Sequence, residues 1–189
     1  MQKQITDHKQ NSEQLFYSNL LDAINQYPFD DASEIIQILK GEIEAGHNLR
    51  DHKNYRVHFG TKTFIFDPTY SQVLLLHHKG LDMWLQAGGH VDPEDETMVI
   101  GAKREGVEET GITELVYQPL DPNSPQTPID ISIHPIPHNP KKQEEAHSHC
   151  DFSYVFTTQS DRVKFDPTES NGSKWISFAE FEQIGRAHV

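Results

Sequence analysis

Gly88–Ile112 reads GGHVDPEDETMVIGAKREGVEETGI. Seven of its side chains are acidic, and Glu105, Glu108 and Glu109 fall within five positions. At 100° per residue, Glu105, Glu108, Glu109 and Gly101 share one face of a helix predicted over 97–110, while Val99, Ala102 and Gly106 share another. Like charges three or four residues apart cost roughly 0.2–0.5 kcal/mol per pair. Gly101 and Gly106 each cost about 1 kcal/mol against alanine. Local preference therefore works against this helix, and two things offset it. Small residues on the second face allow close approach to a sheet. Divalent cations relieve the carboxylates, and hard oxygen ligands in a tight group suit Mg²⁺ or Mn²⁺. Without a cation the acidic residues would form an ordinary solvated face.

The residues around the cluster favour the cation. Arg104 lies eight residues after Glu96, where a guanidinium can clamp a carboxylate and hold the loop against the helix. Gly88-Gly89 lets backbone approach a ligand or present a carbonyl to a metal. Thr110-Gly111 closes the helix. The stretch resembles the Nudix box, G-x5-E-x7-R-E-U-x-E-E-x-G-U, where U is a bulky aliphatic residue. Glu96, Arg104, Glu105, Glu108, Glu109, Gly111 and Ile112 fall in register. Two departures stand out. Gly89 precedes Glu96 by seven positions instead of six, so Glu94 and Asp95 compete with Glu96 for the first acidic place. Gly106 occupies an aliphatic position, which weakens packing without touching the ligand set.

The resemblance implies an enzyme, a pyrophosphohydrolase that cleaves a phosphoanhydride bond in a nucleoside diphosphate linked to another moiety. It implies Mg²⁺ or Mn²⁺ held by Glu105, Glu108 and Glu109, with the Gly89 carbonyl as a further ligand. Glu105 would bind metal or orient water, and Arg104 and Glu96 would brace the site. The general base in such enzymes can lie outside the box, which makes Glu144, Glu145 and Glu169 candidates. Each of these is equally readable as an exposed loop residue. His90 is a candidate substrate contact. The alternative is a Nudix-fold protein that senses a nucleotide without turnover, although such a protein has no need of all three carboxylates. The sequence leaves the nucleoside and the attached moiety open.

Outward from the box, residues 12–27 place Leu15, Phe16, Leu20 and Ile24 at helical spacing, with Ser12 as N-cap. A second helix is predicted over 31–45. Residues 1–50 thus read as a helical extension for packing or homodimerisation. From residue 57 the period shortens, and strands are predicted in VHFGTKTFIFD, SQVLLLHHK and DMWLQAGGHV. Further strands are predicted near 114–118, 129–136 and 150–158 and at Trp175-Ile176, with a late helix from Ser177. The pattern predicts an α/β (α+β) fold in which a mixed sheet is sandwiched between helices, the Nudix-like domain occupying 51–183. The last six residues, IGRAHV, equal a translated sequencing-adapter start, so 184–189 is expected to be a non-native tail.

Twelve histidines invite a metal reading. His147 and His149 are spaced to share one strand face and adjoin Cys150, a combination that suits zinc. No second pair stands at metal-finger spacing, and cleft-lining or exposed histidines are the plainer reading. The formal charge of −13 repels nucleic-acid backbones. An anionic small molecule remains an expected partner if cations bridge it to the carboxylates. No apolar run approaches the roughly 20 residues that cross a bilayer. The polar N-terminus does not read as a secretory signal, and the lone Cys150 rules out an internal disulfide, which makes the cytoplasm the expected compartment.

Overall fold

The computed structural model describes residues 2–140 and 143–187; the side chains of 2–10, 182 and 184–187 lie outside that description. The change of period near Val57 coincides with the change from helix to strand. Two helices, α1 (Gln2–Asn25) and α2 (Ser33–Glu44), precede the strands β1 (Val57–Phe66), β2 (Gln72–His78), β3 (Met83–Leu85) and β4 (Ala87–His90). Then come α3 (Met98–Thr110), β5 (Val116–Gln118), β6 (Asp130–Ile136), β7 (His147–Thr157), β8 (Ser170–Ser177) and α4 (Phe178–Ala187). The architecture is α+β with a mixed sheet. Among the described residues, no helix is long and apolar enough to cross a membrane. The backbone of 184–187 continues α4, and residues 188–189 of the expected tail lie outside the described residues.

The chain divides into two compact units, each assembled from discontinuous segments. The first comprises Met1–Thr61, His90–Gly101 and Pro119–Ser153. Its helix α1 begins ten residues before the predicted start, so Ser12 lies inside it. Phe16, Leu20, Ala23 and Ile24 form its buried stripe, whereas Leu15 is 61% exposed. The i, i+4, i+7, i+8 spacing of that stripe is what fixes the face. Phe16 packs against Phe59 of β1 with centroids 6.4 Å apart, and Phe59 meets Phe152 of β7 edge-on at 5.6 Å. In this unit β6 and β7 are antiparallel, with Ile131 opposite Phe152, Ile133 opposite Cys150, His134 opposite His149 and Ile136 opposite His147. That ladder starts β7 three residues earlier than predicted and draws His147 and His149 into the strand.

The second unit comprises Lys62–Gly89, Ala102–Gln118 and Tyr154–Val189. Here the hydrogen-bonded order is β3-β2-β1-β7-β5, with β8 also paired to β2. Val73, Leu75 and Ile176 form a buried cluster lined by Phe64, Phe66, Trp84 and Phe181. The α3 turns in this unit lie close to β1. A Cβ on Gly106 would stand 2.8 Å from Thr63 Cγ2 and 3.0 Å from Leu115 Cδ1. Thr63 cannot rotate away freely, because its hydroxyl donates to the Ala102 carbonyl at 2.6 Å. Glycine at this aliphatic position of the box is thus what the close approach requires.

Gly106→Ala tests that contact. Better helix propensity alone would stabilise by about 1 kcal/mol, but overpacking a fixed neighbour costs about 1–3 kcal/mol. The expected result in urea unfolding is net destabilisation; a more stable variant would show that the strand yields.

Candidate active site

Helix α3 carries its acidic residues toward its C-terminal end, with no basic residue in the last turn. Arg104 Nη1 donates to Glu105 Oε1 at 2.9 Å and to Glu108 Oε2 at 3.0 Å. One guanidinium thus tethers two of the three carboxylates. Glu108 remains 58% exposed, while the Glu105 side chain is 15% exposed. Glu105 lies against Gly89, where an added Cβ would come within 2.6 Å of its carboxyl. Any side chain at Gly89 would displace that carboxylate. The neighbouring Gly88 N–H donates to Glu109 Oε2 at 3.0 Å.

Residues 164–170 complete this group. Lys164 N–H donates to the Thr110 carbonyl at 2.8 Å and Asp166 N–H to the Glu109 carbonyl at 3.2 Å. These bonds run the segment along the end of α3 and bring Glu169 into side-chain hydrogen bonding with Glu109. Burial, first of all, pushes the Glu109 carboxyl from its ordinary 4.5 up to about 8, and the Glu169 hydrogen bond and the charges of Glu169 and Glu105 add to it. The Gly88 N–H opposes the shift without overcoming it. One pKa unit is about 1.4 kcal/mol, so ionising Glu109 here costs several kcal/mol. That exceeds the repulsion roughly expected of helix neighbours in water.

The other candidates fall in the first unit. Asp95 is 3% exposed, and its Oδ2 accepts the Asp92 N–H at 2.8 Å. A Cβ on Gly101 would meet that oxygen at 2.9 Å. Arg50 fastens the same loop, donating to the Pro93 and Asp95 carbonyls at 3.1 and 3.2 Å. Glu94 and Glu96 are exposed. Of the three acidic residues that compete for the first box position, Asp95 is the buried one. Glu144 exchanges backbone hydrogen bonds with Asn139, and its charge acts on His90. Glu145 lies 3.6 Å from His138. Glu169 belongs to the same unit as the α3 carboxylates, and Glu144 and Glu145 to the first unit.

His147 and His149 do share a face, with Nε2 atoms 3.1 Å apart. Cys150 does not join them, because strand alternation turns it to the opposite face, where it is fully buried. The missed residue is His58. Its ring lies 5.1 Å from His90 and 4.4 Å from His149 between centroids. An imidazole in the otherwise apolar run VHF was the available signal.

The NUDIX domain model matches residues 57–188. The chain belongs to the Nudix family. Membership makes it a Nudix-type hydrolase, and the matched region contains α3 with Glu105, Glu108 and Glu109. The fold is similar to that of the E. coli dihydroneopterin triphosphate pyrophosphohydrolase, at 18% identity over 67% of this chain and 84% of that one, with a TM-score of 0.52. A Nudix-family hydrolase from Clostridium perfringens matches at 28% identity over 67% and 85% of the two chains, with a TM-score of 0.46. A C. elegans Ap4A hydrolase matches at 22% identity over 68% and 85%, with a TM-score of 0.45. A search of curated proteins gives no match.

The raised pKa of Glu109 sets a stability profile for this Nudix chain without added metal. Between the unfolded value of 4.5 and the folded value of about 8, the folded state holds the extra proton, so stability falls as pH rises through that window. Glu109→Gln removes the titration. Urea unfolding in chelator at pH 5 and pH 8 should show the variant gaining roughly 2–4 kcal/mol on wild type at the higher pH. Parallel profiles would contradict the assignment.

Proposed function

We propose that this Nudix hydrolase cleaves a phosphoanhydride bond in a nucleoside diphosphate linked to another moiety, using Mg²⁺ or Mn²⁺. The observation that carries the proposal is the burial of the Glu109 carboxyl, with Glu169 and Glu105 beside it adding to the effect, which disfavours its ionisation; a bound cation would offset that. The donor set fits a hard ion, since every group in it is a carboxylate or a backbone oxygen. Glu105, Glu108 and Glu109 would hold it, with the Gly89 carbonyl as a further ligand. When bound, the ion neutralises phosphate charge and acidifies a water ligand.

The chain's own groups supply the rest. Arg104 fixes the directions of Glu105 and Glu108, and the absent side chain of Gly89 leaves room for Glu105. Water attacks one phosphorus, the phosphorus–oxygen bond to the other phosphate breaks, and the leaving phosphate keeps that electron pair. The proton released by the water passes to a carboxylate. Glu169 is the favoured acceptor because its side chain hydrogen-bonds that of Glu109. Glu105 is the other group suited to orient the water.

Turnover of a panel of nucleoside diphosphate derivatives tests this reading. Chelation should abolish phosphate release and Mg²⁺ should restore it. Glu109→Gln should reduce kcat at least about 100-fold with the fold retained. Glu169→Gln should reduce it about 10²–10⁴-fold, the usual contribution of a general base. Full activity in Glu109→Gln sinks the ligand assignment, and ligand-induced stabilisation without cleavage across the panel supports the nucleotide-sensing alternative.

A further inference from the structure

Six imidazoles meet in the first unit: His52, whose centroid lies 5.0 Å from that of His90, and, from strands far apart in sequence, His58 of β1, His90 of β4, His134 of β6, and His147 and His149 of β7. Ring centroids lie 4.4 Å apart for His58 and His149, 4.7 Å for His58 and His147, 5.1 Å for His90 and His149, and 5.6 Å for His134 and His149. One ligating atom from each of His58, His90 and His149 falls within 4.8 Å of the other two. A tetrahedral ion with metal–nitrogen bonds near 2.1 Å sets its ligands about 3.4 Å apart. The 4.8 Å limit on the observed spacing is wider than that, so the rings would turn inward to ligate an ion.

The second observation is an orphaned atom. His58 is 2% exposed, and its Nδ1 lies 3.3 Å from the Asn54 carbonyl, the geometry in which Nδ1–H donates. That tautomer leaves a lone pair on Nε2, which is buried without a hydrogen-bond partner. A histidine held through Nδ1–H by a backbone carbonyl, with Nε2 left over, is the usual arrangement of a metal ligand. His147 Nδ1 lies 2.6 Å from the Glu145 carbonyl and its Nε2 3.1 Å from His149 Nε2, so His149 Nε2–H donates to His147 and the His149 lone pair is on Nδ1. His134 Nδ1 lies 3.4 Å from Asp151 Oδ2, which puts a carboxylate beside the set.

We propose that His58, His90 and His149 form a second metal site, which takes a borderline divalent ion of the zinc type. An all-imidazole donor set suits such ions and disfavours Mg²⁺, which takes oxygen. Three protein ligands leave the fourth position to water or to a substrate oxygen. The ion ties β1, β4 and β7 together and fixes the ring of His90, the residue that follows Gly89. The site does not depend on the carboxylate chemistry proposed above.

The test uses the full chain, stripped with chelator and titrated with Zn²⁺ or Co²⁺ at neutral pH. Equilibrium dialysis with elemental analysis should find one Zn²⁺ per chain that excess Mg²⁺ does not displace. Co²⁺ should give the visible absorption of a four- or five-coordinate ion with nitrogen ligands. His58→Gln and His90→Gln should each weaken Zn²⁺ binding at least about 100-fold, while Glu109→Gln should leave it unchanged. His90 is only half-buried, so its variant keeps the test open if the buried His58→Gln fails to fold. Absence of tight Zn²⁺ binding in wild type overturns the proposal. So does unchanged affinity in a folded histidine variant, or loss of the ion in Glu109→Gln, which would assign it to the carboxylates.

Discussion

Burial of the Glu109 carboxyl beside two others is the constraint on which the carboxylate site turns. The side chains alone did not choose this arrangement. Backbone hydrogen bonds from Lys164 and Asp166 to the last carbonyls of α3 deliver Glu169, and the Lys79 N–H holds the Glu169 carbonyl at 2.9 Å. Gly88 and Gly89 present a bare backbone edge on which Glu109 and Glu105 settle. Three segments of chain therefore converge on one patch of negative charge. The patch also lies at the C-terminal end of a helix, where the macrodipole already disfavours anions. Each contribution has the same sign. Arg104 pairs with Glu105 and Glu108, while Glu109 accepts from the Gly88 N–H and lies against Glu169.

The two glycines that break the helix rule do so for different reasons. Gly106 is set by distance, because the strand carrying Thr63 runs too close for a methyl group and the threonine is pinned by Ala102. Gly101 faces the Asp95 carboxylate, whose oxygen occupies the volume a Cβ would need. The helix gives up propensity at both places and receives close packing at one and a tied-down loop at the other. That is why a sequence with two glycines in thirteen residues still forms a continuous helix.

The box helix was the most legible element, because charge spacing, glycine placement and the closing Thr110-Gly111 pointed the same way. The strands were legible from period, with ends displaced by pairing: β7 starts at His147 because Ile136 of β6 continues the ladder that far. The start of α1 was not legible, since residues 2–11 offer no apolar stripe to mark a helix. Spacing could place Glu105, Glu108 and Glu109 on one face of α3, but it could not show that Glu169 approaches Glu109. Its approach to Glu109 depends on backbone bonds between segments some 55 residues apart, and periodicity carries no such information. Cys150 shows the converse error. Adjacency in sequence suggested a shared ligand set, and strand alternation separated it from His147 and His149.

Strand alternation also explains why the histidines gather at all. His147 and His149 project from one face of β7, and register places His134 opposite His149 on the same face. His58 arrives on β1, where its neighbour Phe59 turns the other way into the aromatic core with Phe16 and Phe152. Phe59 and Phe152 thus lie on one side of these strands, and the imidazoles, with Ile136 opposite His147, on the other. An imidazole surface with no function would be cheaper if it were exposed or apolar, since a buried ring nitrogen without a partner forfeits a hydrogen bond, a loss of about 1–3 kcal/mol. His58 Nε2 carries that loss in the metal-free chain. The carboxylate patch and the imidazole face thus present the same physical problem in two chemistries. The first gathers carboxylates whose charges oppose one another, the second leaves His58 Nε2 without a hydrogen-bond partner, and the cations proposed for them differ by ligand hardness, oxygen-seeking for the first and nitrogen-seeking for the second.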